Sequence, residues 1–100
     1  MLLQLELSKY DEALKLSEIA LEIFPVQPIL YLIRGAALNK QQAYREAEEI
    51  LTFGLDYVIE NKIMTVDFYE QLSIAYAGLG NAQKSQDFLE KTDQLKKEAN

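Results

Sequence analysis

Few kinds of side chain in this sequence could do acid–base chemistry. There is no histidine and no cysteine. That removes the usual general base and commonest metal ligand, and with them every thiol nucleophile, thiolate metal site and disulfide. Carboxylates and phenols remain. With sixteen acidic residues some carboxylates must lie close together, and Glu46, Glu48 and Glu49 form the densest group. Two such groups can serve as acid and base when their environments push their pKa values apart. On a helix, however, these three point outward in different directions, the pattern of a solvated face. Tyr10 and Tyr44 are possible proton donors, but they occupy equivalent positions in an internal repeat, which assigns them to packing between helices. The sequence contains no phosphate-cradling glycine loop, calcium loop, nucleophile elbow or zinc spacing. The residues predict a protein that is not an enzyme and carries no cofactor or metal.

Charge narrows the partners. Ten basic against sixteen acidic residues give a net charge of −6, the wrong sign for a phosphate backbone, which needs clustered lysine and arginine. Nucleic acid is therefore not expected. The composition, 49% apolar and 26% charged, is that of an ordinary globular domain. No apolar run approaches the ~20 residues needed to cross a bilayer, so membrane insertion is not expected. The opening "MLLQLEL" contains Glu6 and lacks a basic flank and a small-residue cleavage site, unlike a signal peptide. With no targeting signal in the sequence, the compartment is unassigned: cytoplasmic by default, with the periplasm an open alternative.

The elements that must position these side chains are helices. From Tyr10 the apolar residues Ala13, Leu14, Leu16, Ile19, Ala20 and Ile23 recur at helical spacing until Pro25. Pro28 opens a second helix to about Lys40, with Gln41-Gln42 as a short polar turn. A third is predicted from near Ala43 to about Glu60. "NKIM" then connects to a fourth helix capped by Thr65 or by Asp67 with Glu70 three residues on. "GLGN" at Gly78–Asn81 ends it. The last helix, from about Ala82 to Glu98, has only a thin apolar stripe of Ala82, Phe88, Leu89 and Leu95, as expected of the end of a stack.

The pattern repeats. Tyr10 and Tyr44, Glu12 and Glu46, Ala13 and Ala47, and Leu21 and Leu55 are identical pairs separated by 34. Further on the interval becomes 38, as in Tyr31 to Tyr69, Leu38 to Tyr76 and Ala47 to Ser85. Four extra residues near "IENKIM" make up the difference: either the connector is a loop or the third helix is one turn longer than usual, and the longer helix is the expectation.

In this spacing the chain resembles the tetratricopeptide repeat, a helix-turn-helix unit of 34 residues. Tyr31, Gly35, Leu38, Ala47, Leu51 and Gly54 carry the resemblance in the middle unit. Tyr69, Leu72, Tyr76, Gly80, Ser85, Leu89 and Thr92 carry it in the last, and Ala13, Ser17, Ala20 and Pro25 in the first. Arg34, Ser73, Ile59 and Lys97 depart from the family pattern at positions for leucine, glycine, proline and proline. The resemblance implies an all-α fold of antiparallel helical hairpins stacked in a right-handed superhelix. It would form one domain over 1–100: a partial repeat at 1–27, a second at 28–61, and a third with a polar capping helix at 62–100. It also implies a segment of a longer bacterial array.

Proteins of that family are generally scaffolds, and their first helices line a concave groove that holds a partner's helix or extended segment. Carried onto this sequence, the groove positions are Leu2 and Leu5, then Ile29, Leu32, Ile33, Ala36, Asn39 and Lys40, then Asp67, Glu70, Gln71, Ile74 and Ala77. Leu2, Ile33, Asp67 and Gln71 replace the basic and asparagine clamp by which related co-chaperones grip carboxylates. What remains is an apolar floor with an acidic edge, suited to an amphipathic helix with basic flanks. The expected activity is binding a protein or peptide, as an adaptor or as a small acidic chaperone of the secretion type. The apolar start of the chain, with Met1, Leu3 and Leu7, also makes self-association at that end an expectation. Two substitutions follow from this register: Gly35→Leu should be severely destabilising, and Leu32→Asp should leave folding nearly intact.

Overall fold

The computed structural model describes residues 11–16 and 27–99. Among them every regular element is an α-helix. Residues 11–16 are the described part of α1. Then come α2 (Pro28–Lys40), α3 (Tyr44–Leu55), α4 (Lys62–Gly78) and α5 (Ala82–Ala99). The remainder of the expected first helix, with Tyr10, lies outside the described residues, as do Leu2 and Leu5.

Two hairpins account for most of the packing. Helix α2 pairs with α3 and α4 with α5, while α4 also lies against both α2 and α3. The two tight turns are built alike. At the end of α2, Ala43 N–H donates to Leu38 O at 2.9 Å and Gln42 N–H to Asn39 O at 3.0 Å. At the end of α4, Asn81 N–H donates to Tyr76 O at 2.8 Å and Gly80 N–H to Ala77 O at 3.1 Å. This pair of bonds occupies carbonyls that a helix end leaves free, and it needs one left-handed residue. Gly80 supplies that residue at φ +81°, Gln42 at φ +63°. Asn81 then caps α5, its Oδ1 accepting from Lys84 N–H at 3.1 Å.

The core gathers Tyr31, Leu32 and Leu38 of α2, Ala47 and Leu51 of α3, and Phe68, Leu72 and Ala75 of α4. Ala47, Leu51, Phe68 and Ala75 have no exposed surface. Leu14 of α1 packs on its edge, and the Gln41 amide donates to Asp11 Oδ1 beside it. A Cβ at Gly35 would overlap Cγ and Cδ2 of Leu51, so the missing side chain is what lets α2 and α3 approach. At the position 38 residues on, the second hairpin has Ser73 instead. Its hydroxyl donates to Ser85 O at 3.0 Å and lies 2.9 Å from Ser85 Oγ, which satisfies polar atoms drawn into a close crossing.

Two boundaries correct the sequence reading. Helix α3 ends at Leu55, not near Glu60. Tyr57 N–H turns back to Gly54 O at 3.0 Å and Val58 N–H to Leu55 O at 3.1 Å, tightening the chain out of the α-helix. Tyr57 then stacks against Tyr31 at 6.2 Å and meets Phe53 edge-on at 5.3 Å, so aromatic packing takes residues that a longer helix would have pointed elsewhere. Glu60 is left-handed at φ +49°. Helix α4 starts earlier than expected, capped by Asn61 and not by Thr65 or Asp67. Asn61 Oδ1 accepts from Met64 N–H at 2.9 Å, and the Thr65 hydroxyl donates back to Asn61 O at 2.9 Å. The extra residues thus go to the connector and the first turn of α4.

Two outcomes follow. Gly35→Leu should lower stability by about 3 kcal/mol, the upper end of overpacking costs, since the new side chain must displace a fully buried leucine; thermal denaturation followed by circular dichroism measures it. Gln42→Gly should raise Tm by a few degrees. Releasing a non-glycine residue from the left-handed region recovers about 1–2 kcal/mol, less about 0.4–1 kcal/mol of added unfolded-chain entropy. An unchanged or lower Tm would contradict the Gln42 conformation.

Candidate functional site

The lengthwise contact of α2 with α4 leaves an open groove of about 340 Å³ between them. Leu32, Ile33 and Ala36 line it from α2, and Asp67, Glu70, Gln71 and Ile74 from α4. All seven are sequence-expected groove residues. The α2 residues come from successive turns of one face, and the α4 residues do the same.

Within the groove the residues differ in kind. Ile33 is 43% exposed and Ile74 46%, so these two give the groove its accessible apolar surface. Leu32 is only 9% exposed and belongs to the core cluster. That corrects the expectation that Leu32→Asp would be tolerated: the carboxylate would be buried without a partner. Asn39 is also buried, and it works structurally by tying α2 to α4. Its Nδ2 donates to both the backbone O and Oε1 of Gln71 at 2.9 Å, while its Oδ1 is buried with no hydrogen-bond partner. Ile29 and Ala77 are exposed but do not line the groove, and Lys40 is exposed at the C-terminal end of α2. Leu2 and Leu5 are outside the described residues.

The candidate chemical groups have structural surroundings. Glu46 and Glu49 are exposed, whereas Glu48 accepts a hydrogen bond from the Tyr76 hydroxyl at 3.0 Å, joining α3 to α4. Burial, then this bond to a carboxylate, raises the Tyr76 pKa above the ordinary phenol value. Burial likewise raises that of Tyr31. Both phenols are therefore held more firmly in the neutral form. Tyr44 lies over Gly78, where a Cβ would overlap its ring. Among the described residues no three acidic side chains converge as a metal site, and no helix is long and apolar enough to cross a membrane.

Sequence reasoning missed a second cleft. It has a volume of about 290 Å³ between the start of α4 and the end of α5, with Ile63, Val66 and Leu95 as its apolar lining. Lys62 and Lys96 stand at its edge, and Asp67 and Glu70 form a wall shared with the groove. Ile63 is 79% exposed, and Ile59 in the connector is 81% exposed. An available signal was "VIENKIM", with three branched apolar residues around a polar trio that includes the capping Asn61. Placing the cap at Thr65 or Asp67 left Ile63 in a loop, without a helical face.

Comparison of the chain with family models, with curated proteins and with solved structures found no match.

The two neighbouring positions Leu32 and Ile33 separate core from groove. Leu32→Asp should cost at least about 3 kcal/mol and lose helicity near ambient temperature. Ile33→Asp should stay within about 1 kcal/mol of the parent. Urea titration of both variants checks the contrast.

Proposed function

We propose that the chain is a protein-interaction scaffold that holds a helical or extended segment of another protein in the α2–α4 groove. In this reading the hairpins are successive units of a tetratricopeptide-like stack, with α2 and α4 as first helices facing the partner. Three features support the arrangement. The hairpin turns recur with the same hydrogen bonds. Gly35 and Ser73 fall at equivalent close crossings. The α2 backbone lies close to that of α4, whereas the backbones of α3 and α5 do not approach each other closely.

The observation that carries the functional reading is the partial exposure of Ile33 and Ile74 on facing walls of a groove that Asp67 and Glu70 flank. Covering two half-exposed isoleucines contributes roughly 1 kcal/mol each, and the carboxylates add orientation and selectivity more than affinity. Such a site suits a partner segment with an apolar ridge. The adaptor and chaperone readings use this same groove and differ in what they select. An adaptor prefers a defined motif, whereas a chaperone accepts many apolar segments, in keeping with the net charge of −6 that would keep the loaded protein soluble.

Selection from a displayed peptide library on the immobilised chain tests the proposal. The double variant Ile33→Asp with Ile74→Asp should bind the selected peptides at least about tenfold more weakly, about 1.4 kcal/mol, while still melting cooperatively. Failure to select any peptide, or equal binding by the folded double variant, would remove the groove as the site.

A further inference from the structure

We propose that the α4–α5 cleft is a self-association surface, through which two copies of this chain pair about a two-fold axis with their α4 helices antiparallel. The argument starts from the order of residues on one face of α4. Lys62, Ile63, Val66 and Glu70 lie within about 12 Å of helix, so the face runs from a cation through apolar residues to a carboxylate. An antiparallel copy crossing near Val66 sets Lys62 against the partner's Glu70, and Glu70 against the partner's Lys62. The apolar residues of the two copies meet between those pairs. A two-fold interface uses the same patch on both chains, so it requires this kind of self-complementarity.

Three further observations favour a second copy as the occupant. First, the cleft carries two lysines, Lys62 and Lys96, and two carboxylates, Asp67 and Glu70, so it is neutral on a chain of net charge −6. Two acidic copies can meet there without the repulsion that most of their surface would impose. Second, Ile63 projects from this face with 79% of its surface exposed, and an exposed apolar group rimmed by charge marks an interaction site. Third, Lys62 is not committed elsewhere. Its Nζ lies 4.0 Å from Glu98 Oε2, and both side chains are largely exposed, so the contact holds it loosely. The pairing shares Glu70 with the α2–α4 groove, whereas Lys62 and Ile63 belong to the cleft alone.

Sedimentation equilibrium on the full chain tests the pairing, with circular dichroism melts as the check on folding. The parent should show a concentration-dependent monomer–dimer equilibrium, and Ile63→Asp should abolish it without lowering Tm. Lys62→Glu and Glu70→Lys should each weaken association by about tenfold, through like charges placed face to face. Mixed in equal amounts, the two charge variants should regain association, because each then presents the charge the other lacks. A parent that stays monomeric at all concentrations would overturn the proposal and leave the cleft to a foreign partner. A dimer that survives Ile63→Asp would place association on another surface. Charge variants that weaken singly and do not recover on mixing would refute the antiparallel register.

Discussion

The close crossing of α2 and α3 sets the position of nearly everything else. Where Gly35 has no side chain, Leu51 fills the space and becomes fully buried. That draws Tyr31 over Gly54, where a Cβ would meet Tyr31 Cβ and Cγ. Tyr31 in turn anchors Phe53 at 5.1 Å and Tyr57 at 6.2 Å. The paired helices present one apolar surface, against which Phe68, Leu72 and Ala75 of α4 are buried. The groove is what remains open once α4 has docked. The spacing of α2 and α4 follows from the side chains buried between them, Leu32 among them, and from the Asn39–Gln71 tie.

The second hairpin meets the same geometric demand with different chemistry. Where the first relies on an absent side chain and an aliphatic filler, the second uses a serine pair, and Thr92 at the Gly54 position returns its hydroxyl to Phe88 O at 2.9 Å. Its remaining packing is aromatic and cationic. Tyr76 stacks on Phe88 at 5.7 Å, and Lys91 lies 4.8 Å from the centre of the Phe88 ring. Leu89, at the Leu51 position, is exposed. An interior built from hydrogen bonds and snorkelling lysines tolerates water on its outer side, which suits a helix with solvent across it.

The described helices and the two tight turns were legible because they rest on local rules: apolar spacing, proline at a first turn, and a polar or glycine break; the groove positions came from the family resemblance and not from those rules. The ends of α3 and α4 were not. Val58 and Ile59 continue an apolar run that looks helical, and only the packing of Tyr57 on Tyr31 and Phe53 shows why the helix stops earlier. Asn61 and the Asp67–Glu70 pair are competing capping patterns a few residues apart, and local sequence does not decide between them. The family register assigns Leu32 to a face and not to a depth; adjacent positions on α2 share the groove, yet Leu32 belongs to the core. The second cleft depends on where α4 begins and how α5 lies across it, which no short stretch of sequence contains.

The 38-residue interval between matching positions of the two hairpins is accommodated largely by an early start to α4. Four residues of helix add about 6 Å of length and come within about 40° of a whole turn. The chain arriving from Val58 therefore enters α4 on nearly the same side as it would without them. Two added residues would have moved the entry point to the opposite side and forced the connector across the helix. Natural length variation at this junction should accordingly come in steps of one turn, with each added step lengthening the free face that begins at Lys62.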